Sequence, residues 1–290
     1  RTSSYIPIGI FSTLFIFFSY HSFSHSQHWK TPTSFWDTVI KYNSNYGYIP
    51  YSTLGYLHER DGKSKEAIRY YEKAITYPIH KWRGSFNLYA HKQLATHYHA
   101  TKRFDDIQVL YESSANNYPD YSSYLYHELG SFYNMHGYLN LATNYLEKAV
   151  TINPDLYISY NNLGEVFFKK GDLETALTYY KKAIPPSSEQ DTSTLMSPLT
   201  YLNIGFIYKQ LEDYDNAIEY LTKAITYMPD NITGYLELGE LYYRNLDHKQ
   251  AESVYLRALQ QNPNQAQQAT TYLALGYIYK ETNQPKLAID

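Results

Sequence analysis

Three histidines near the start of the chain are spaced as ligands of one metal ion could be. His21, His25 and His28 are separated by four and three residues, so on a helix the three imidazoles would lie on one face. Imidazole nitrogen is a common zinc ligand, and three on one face could hold a zinc ion. No carboxylate or cysteine lies nearby, and interfacial polar residues beside a membrane are the alternative interpretation. We therefore predict no metal site.

The remaining residues offer no recognised catalytic arrangement. His97 and His99 flank Tyr98 and would point to different faces of a helix, which makes them a poor chelating pair. The chain has no glycine-rich phosphate loop, His-Glu-x-x-His run or nucleophile elbow. Its lack of cysteine excludes disulfides and thiolate ligands. The formal net charge of −3 gives no attraction for a polyanion. We predict no catalytic residue, no cofactor and no nucleic-acid partner.

The elements that would position functional residues follow from a repeat. Small residues recur in pairs twelve positions apart, and the step from glycine to glycine is 34 residues in two places. A unit of this length is two short helices that cannot bury their apolar faces alone, so stacked neighbours supply the core. We expect each pair to mark a close crossing of two helices. The clearest pairs are Gly130/Ala142, Gly164/Ala176, Gly205/Ala217 and Gly239/Ala251.

The units resemble the tetratricopeptide repeat. This resemblance implies an all-α fold, an α-solenoid in which helix-turn-helix repeats form a right-handed superhelix. Four complete units span residues 126–154, 160–188, 201–229 and 235–263. In the first of these the matching residues are Leu129, Gly130, Tyr133, Gly137, Ala142, Leu146, Ala149 and Pro154.

The 36 tyrosines look like a binding surface at first sight. Most fall at core positions of the repeat, so packing explains them first. Examples are Tyr111, Tyr133, Tyr208, Tyr242 and Tyr255.

Further units extend the array in both directions. A first unit contains Gly55, and a degenerate second unit has Ala95 in place of the glycine and Ile107 in place of the alanine. A last, shortened unit contains Gly276. Residues 35–40 look like a lone second helix that caps the stack. Residues 34–290 are therefore predicted to form about six and a half repeats after an N-terminal half-repeat.

Two local segments have alternative interpretations. Residues 185–198 are rich in turn-forming types and are predicted to be a mobile insertion, either a tolerated surface loop or a regulatory, phosphorylated one. Asn231-Ile232-Thr233 matches a glycosylation acceptor. Because Asn231 lies near a predicted helix start, its side chain could instead cap that helix.

Residues 1–33 are predicted to contain a transmembrane helix and a linker. Residues 5–23 carry no charged side chain, and their length just suffices for a bilayer. A signal-peptide core and a buried helix are the alternatives. Few charges flank the segment, so its orientation is weakly specified. If the chain before Arg1 is basic, the repeats lie outside the cytoplasm. We favour this extracytoplasmic position.

The order of these segments is similar to the C-terminal region of multi-pass transmembrane and tetratricopeptide repeat proteins of the protein O-mannosyltransferase-like group. In that group the catalytic acids lie in a loop after the first membrane helix, and none of those positions exists in this chain. The resemblance implies that the repeats recruit acceptor proteins for a glycosyltransferase whose catalytic part lies upstream of Arg1. We accordingly expect this chain to be part of a longer protein.

The same resemblance indicates a concave groove lined by the first helix of each repeat. Chaperone-binding relatives clamp a C-terminal carboxylate with Lys and Asn at defined groove positions. In this chain Lys92 is nearly the only candidate for such a clamp, and the groove is mixed in character. Asn162 and Asn203 resemble the asparagines that bind peptide backbone in O-linked N-acetylglucosamine transferases, with ordinary helix-surface asparagine as the alternative. The predicted peptide-binding residues are Tyr124, His127, Asn134, Asn161, Asn162, Glu165, Phe168, Asn203, Phe206, Lys209, Glu240 and Tyr243.

Two functions are predicted from this pattern. The first is a membrane-anchored repeat scaffold that binds a peptide or partner protein in the groove. The second is the acceptor-recruiting region of the membrane glycosyltransferase described above. They differ in whether further membrane helices and acidic catalytic residues precede Arg1.

Overall fold

The computed structural model describes residues 31–42, 48–76, 87–185 and 199–284, which contain fourteen α-helices, one 3-10 turn and no strand. The chain divides into two compact units, residues 1–125 and 126–290. The first unit contains α1 (Pro32–Tyr42), α2 (Ile49–Arg60), α3 (Ser64–Thr76), α4 (Leu88–Ala100) and α5 (Phe104–Asn117). The boundary falls within α6 (Ser122–Met135). The second unit continues with α7 (Leu139–Ile152), α8 (Tyr157–Lys169), α9 (Leu173–Lys182), α10 (Leu199–Gln210), α11 (Tyr214–Tyr227), α12 (Ile232–Arg244), α13 (His248–Leu259) and α14 (Gln265–Glu281).

Consecutive helices form six hairpins in the described ranges, each joined by a short turn. A residue with positive φ lies seven positions after each repeat's glycine or its replacement, and in these six hairpins it lies in the turn that reverses the chain. Glycine, which adopts this backbone without steric cost, holds the position in three repeats. Other residue types hold it in the remaining four. The seven residues are Gly62, Lys102, Gly137, Gly171, Glu212, Leu246 and Asn283.

The repeat glycines allow the two helices of a hairpin to approach closely. A Cβ added to Gly130 would lie 2.6 Å from Leu146 Cγ, and one added to Gly205 would lie 2.7 Å from Leu221 Cγ. The close crossing was therefore predicted correctly, but the opposing residue is a large one sixteen positions on. Ala142, twelve positions on, is also fully buried, so both small residues are required by packing.

Many tyrosines of the second unit pack against other aromatic rings. Tyr145 of α7 lies between Tyr126 and Tyr133 of α6, with centroid separations of 6.1 and 5.7 Å, and Lys148 Nζ lies 4.6 Å from its centroid. Two further repeats contain the same arrangement. Its rings and cations are Tyr160, Phe167, Tyr179 and Lys182 in one, and Tyr201, Tyr208, Tyr220 and Lys223 in the other.

The burial of their side chains confirms that the five tyrosines given as examples above lie in the core. Four of them are buried, and Tyr242 is partly buried. The predicted lone helix at residues 35–40 lies in α1, where Phe35 is buried. Asn231 is the N-cap of α12, and its side chain accepts a hydrogen bond of 3.1 Å from Gly234 N.

Several predictions concern residues outside the described ranges. They are the membrane segment at residues 5–23, the three histidines His21, His25 and His28, and residues 186–198 of the insertion. None of the helices that the structure describes is long and apolar enough to cross a bilayer.

Candidate functional site

The candidate groove of the second unit is formed by one face of its first helices. On α8 this face contains Ile158, Asn161, Glu165 and Phe168, which lie at spacings of three and four residues around Gly164. The equivalent positions on α6, α10, α12 and α14 extend the surface. We call this set of positions the groove face. Tyr124, the first predicted residue, belongs to the first unit and is half-exposed.

Polar residues at the α6 end of the groove face hydrogen-bond to one another. His127 Nδ1 lies 2.9 Å from Ser159 Oγ, and its Nε2 lies 3.4 Å from Ser131 Oγ. Asn162 Nδ2 donates to Ser131 Oγ at 2.6 Å. These bonds join α6 to α8, and the His127 side chain is buried. The first structural role of this cluster is therefore to connect neighbouring repeats.

The other predicted asparagines also bond to neighbouring helices. Asn161 Oδ1 accepts a bond of 2.7 Å from Thr200 Oγ1, and buried Asn134 accepts one of 2.9 Å from Lys169 Nζ. Burial raises the pKa of Tyr180, as does the charge of Glu165, and polar Asn203 on the adjacent helix opposes this rise. An amide group has both donor and acceptor atoms. Binding of a peptide main chain by these asparagines remains a prediction.

An ion-pair network crosses the groove face between α10 and α12. Lys209 Nζ donates to Glu237 Oε2 and to Glu240 Oε2, both at 2.6 Å. Arg244 lies 2.7 Å from the other oxygen of Glu240. Burial disfavours the charged form of Lys209, but its bonds to the two glutamates raise the pKa overall. The pKa of Glu240 is lowered, because Lys209 and Arg244 outweigh the opposing effect of burial.

Apolar side chains separate these polar groups. Ile158 is 50% exposed and Phe168 37% exposed, while Phe206 is partly buried. Tyr243 is also partly buried, and its hydroxyl donates to Glu281 Oε1 at 2.7 Å. The predicted residues of the second unit other than Asn162 and Asn203 therefore occupy groove-face positions, and large apolar side chains remain accessible among them.

Sequence reasoning missed three large apolar members of the groove face. Leu199 on α10 and Leu273 and Tyr277 on α14 are 47%, 61% and 53% exposed. The signal that locates them is the register itself, because Leu273 lies three residues before Gly276 and Tyr277 directly follows it. Leu199 is therefore available for contact with a partner. Leu273 and Tyr277 belong to the last described repeat, and Leu202, the counterpart of Leu273 in an inner repeat, is only 6% exposed.

Groups able to bind a metal are also informative. Among the described residues, no set of three histidine or acidic side chains is placed to hold a metal ion. His97 Nε2 lies 3.4 Å from Glu59 Oε1, whereas the His99 ring packs on Phe104, so the two histidines have different surroundings.

These features define an all-α repeat protein whose candidate site is a surface formed by successive first helices. Sequence models of the tetratricopeptide repeat family match residues 50–78, 123–156, 157–184 and 209–288 of this chain. The chain belongs to the tetratricopeptide repeat family.

Individual relatives share the repeat with this chain. The BBSome complex member BBS4 of Bos taurus is 32% identical over 149 residues, which cover 51% of this chain and 27% of that protein. The chain thus spans about a quarter of the length of this curated relative.

Two solved structures show the same fold. The C-terminal part of a TPR repeat-containing protein from Cytophaga hutchinsonii matches with a TM-score of 0.58 and 19% identity, covering 81% of this chain and 90% of that one. YrrB, a TPR protein with an unusual peptide-binding site, matches with a TM-score of 0.51 and 16% identity, covering 62% and 87%.

Proposed function

We propose that this chain is a protein-binding scaffold that holds a peptide segment of a partner protein on the groove face of its second unit. The observation that carries this proposal is the exposure of large apolar side chains on the groove face of successive first helices. Ile158 and Leu199, at equivalent positions of α8 and α10, are about half-exposed, and Phe168 is 37% exposed. Such residues supply contact area for peptides bound to helical grooves.

The relatives support a binding role. One is named as a member of a protein complex, and another is described as having a peptide-binding site. The proposed ligand site comprises the exposed apolar members of the groove face, with Asn161, Asn162 and Asn203 as candidate partners of the peptide main chain.

Two further parts of the proposal rest on the sequence. Residues 5–23 would anchor the scaffold to a membrane, with the repeats on the extracytoplasmic side. Recruitment of acceptor proteins to a glycosyltransferase is the alternative, and no contact among the described residues favours it over a general scaffold.

Selection from a phage-displayed library of random dodecapeptides tests the binding role. We expect the whole chain to enrich a peptide family whose affinity falls by about tenfold in Phe168→Ala, the size of a typical interface contact. Thr178→Ala is the matched control, since Thr178 is exposed on α9, a second helix, and should bind as the parent does. Equal losses in both variants, or no enrichment, would exclude the proposed site.

A further inference from the structure

We propose that the groove face of the second unit selects an uncharged, apolar peptide segment and discriminates against an acidic segment or a terminal carboxylate. This inference rests on the proposed function and specifies the chemistry of its ligand. It follows from the way the molecule pairs its own charges at the groove, together with the side chains left accessible between them.

Lys209, the cation at the centre of the groove face, already pairs with two carboxylates. The Lys209 side chain is 19% exposed, and both Glu237 and Glu240 accept hydrogen bonds from its ammonium group. The ammonium group has a third donor, but a ligand carboxylate that approached it would be repelled by both glutamates unless it displaced one of them. The displaced glutamate would lose its partner in a partly buried place, which is costly. An acidic ligand therefore gains little from this lysine.

The neighbouring cations are paired in the same way. Lys169 Nζ lies 2.6 Å from Glu165 Oε1 and also donates to Asn134, while Arg244 pairs with Glu240. Three cations thus face three glutamates on or beside the groove face, so the formal charges of these six side chains sum to zero. These side chains are Lys169, Lys209 and Arg244, with Glu165, Glu237 and Glu240.

One lysine of the groove face differs from this pattern. Lys280 on α14 is exposed and has no ion pair among the residues that the structure describes. It lies next to Glu281 in the chain, whose carboxylate accepts a bond from Tyr243. An exposed lysine of this kind contributes little binding energy at physiological ionic strength.

Apolar side chains adjoin the paired charges. Phe206 on α10 and Leu236 on α12 are partly buried, and Ile158 on α8 and Leu199 on α10 are about half-exposed. Ile158 and Leu199 share one register position, so these two neighbouring first helices present apolar groups in series. Covering such groups removes apolar surface from water, a gain available to an uncharged segment without breaking an ion pair.

Two isosteric variants test this selectivity. The parent chain should enrich dodecapeptides poor in Asp and Glu, and the affinity of one selected peptide should change by less than about threefold between about 50 and 500 mM NaCl, because no net charge is paired. Amidation of its C-terminal carboxylate should have equally little effect. In Glu237→Gln with Glu240→Gln, Lys209 and Arg244 lose these partners. We expect this double variant to bind the free-carboxylate form about tenfold more tightly than the parent does.

Glu219→Gln is the matched control, because Glu219 pairs with Lys223 at 2.6 Å within α11 and away from the groove face. It should leave both affinities unchanged. Enrichment of acidic peptides by the parent, with binding that weakens in salt and is lost in Lys209→Met, would overturn the inference but retain the proposed function. Enrichment of no peptide would overturn both. An unchanged affinity in the Gln double variant would show that the glutamates do not exclude carboxylates.

Discussion

Replacing Gly130 by alanine should destabilise α6 and α7 more than the same change at Gly239 destabilises α12 and α13. At Gly130 the new Cβ would lie 2.6 Å from Leu146 Cγ and 3.0 Å from Leu146 N. Ordinary contacts begin near 3.4 Å, so the side chain must retreat by about 0.8 Å and the backbone by about 0.4 Å. Leu146 is fully buried, and protein cores are packed too densely to yield easily to such a shift.

At Gly239 the new methyl group would meet only the outer part of a ring. The two nearest atoms, Tyr255 Cε1 and Cζ, would lie 2.6 Å away. A ring edge can swing aside at lower cost than a backbone atom can move. The second repeat supports this difference, since buried Ala95 replaces the glycine there and buried Tyr111 holds the opposing position.

The expected magnitudes follow from two opposing effects. Alanine gains about 0.5–1 kcal/mol over glycine within a helix, whereas overpacking a core costs about 1–3 kcal/mol. We expect a net loss of about 1–2 kcal/mol for Gly130→Ala and a change within about 0.5 kcal/mol for Gly239→Ala.

Hydrogen exchange resolved by helix is the suitable assay, because repeat arrays can unfold in parts and a single midpoint would average over them. Amides of α6 and α7 should exchange about 5–30-fold faster in Gly130→Ala. Amides of α12 and α13 should change little in Gly239→Ala. Equal protection in the two variants would show that the crossing at Gly130 relaxes freely, which would refute the packing argument.

Two further predictions concern the turns and a buried histidine. Leu246 has φ of 60°, which is strained for a leucine, and its side chain is 77% exposed. Leu246→Gly should therefore raise the free energy of unfolding by about 0.5–1 kcal/mol, measured by urea unfolding followed by circular dichroism, whereas Gly171→Leu should lower it. A loss of stability in both variants would contradict the strain argument. Burial lowers the pKa of His91 from 6.5 to about 4, despite its bond to Asn87 O. Because the unfolded chain binds this proton first, the free energy of unfolding should decrease as pH falls from about 6.5 to about 4, by up to about 3 kcal/mol, with no contribution from His91 above that window. His91→Gln should remove this part of the pH dependence in urea titrations; an unchanged slope would exclude His91 as its source.

The sequence predicted the hairpins well because their determinants are local. Glycine spacing located each helix crossing, and the N-cap at Asn231 was recognisable beside its helix. The residue that packs opposite Gly130 was not predicted, because spacing alone does not distinguish Ala142 from Leu146 when both are apolar. Turns were recognisable where the left-handed position is glycine, but Leu246 holds that position without any signal in its residue type.

The candidate site was predicted less completely, for a physical reason. The register identified which residues share a face, including Phe168 and Phe206. It could not show that His127 bonds to Ser159, because that pair is 32 residues apart and forms only when two repeats stack. Hydrogen-bond partners of groove residues depend on such stacking, so several polar residues expected to contact a ligand also join neighbouring repeats.

The tyrosines illustrate how packing and binding can be tested separately in this chain. Tyr145 and its counterparts lie within ring stacks, and their replacement would disturb the fold before it revealed anything about a ligand. Ile158 and Phe168 are accessible, so truncating them removes contact surface while leaving most of the core intact. The ion pairs allow a third kind of change, since glutamine retains the shape of Glu237 and Glu240 but removes their charge. Selectivity can therefore be altered at the groove with substitutions that preserve the volume of the packed repeats, and a change in ligand preference would then report on electrostatics rather than on unfolding.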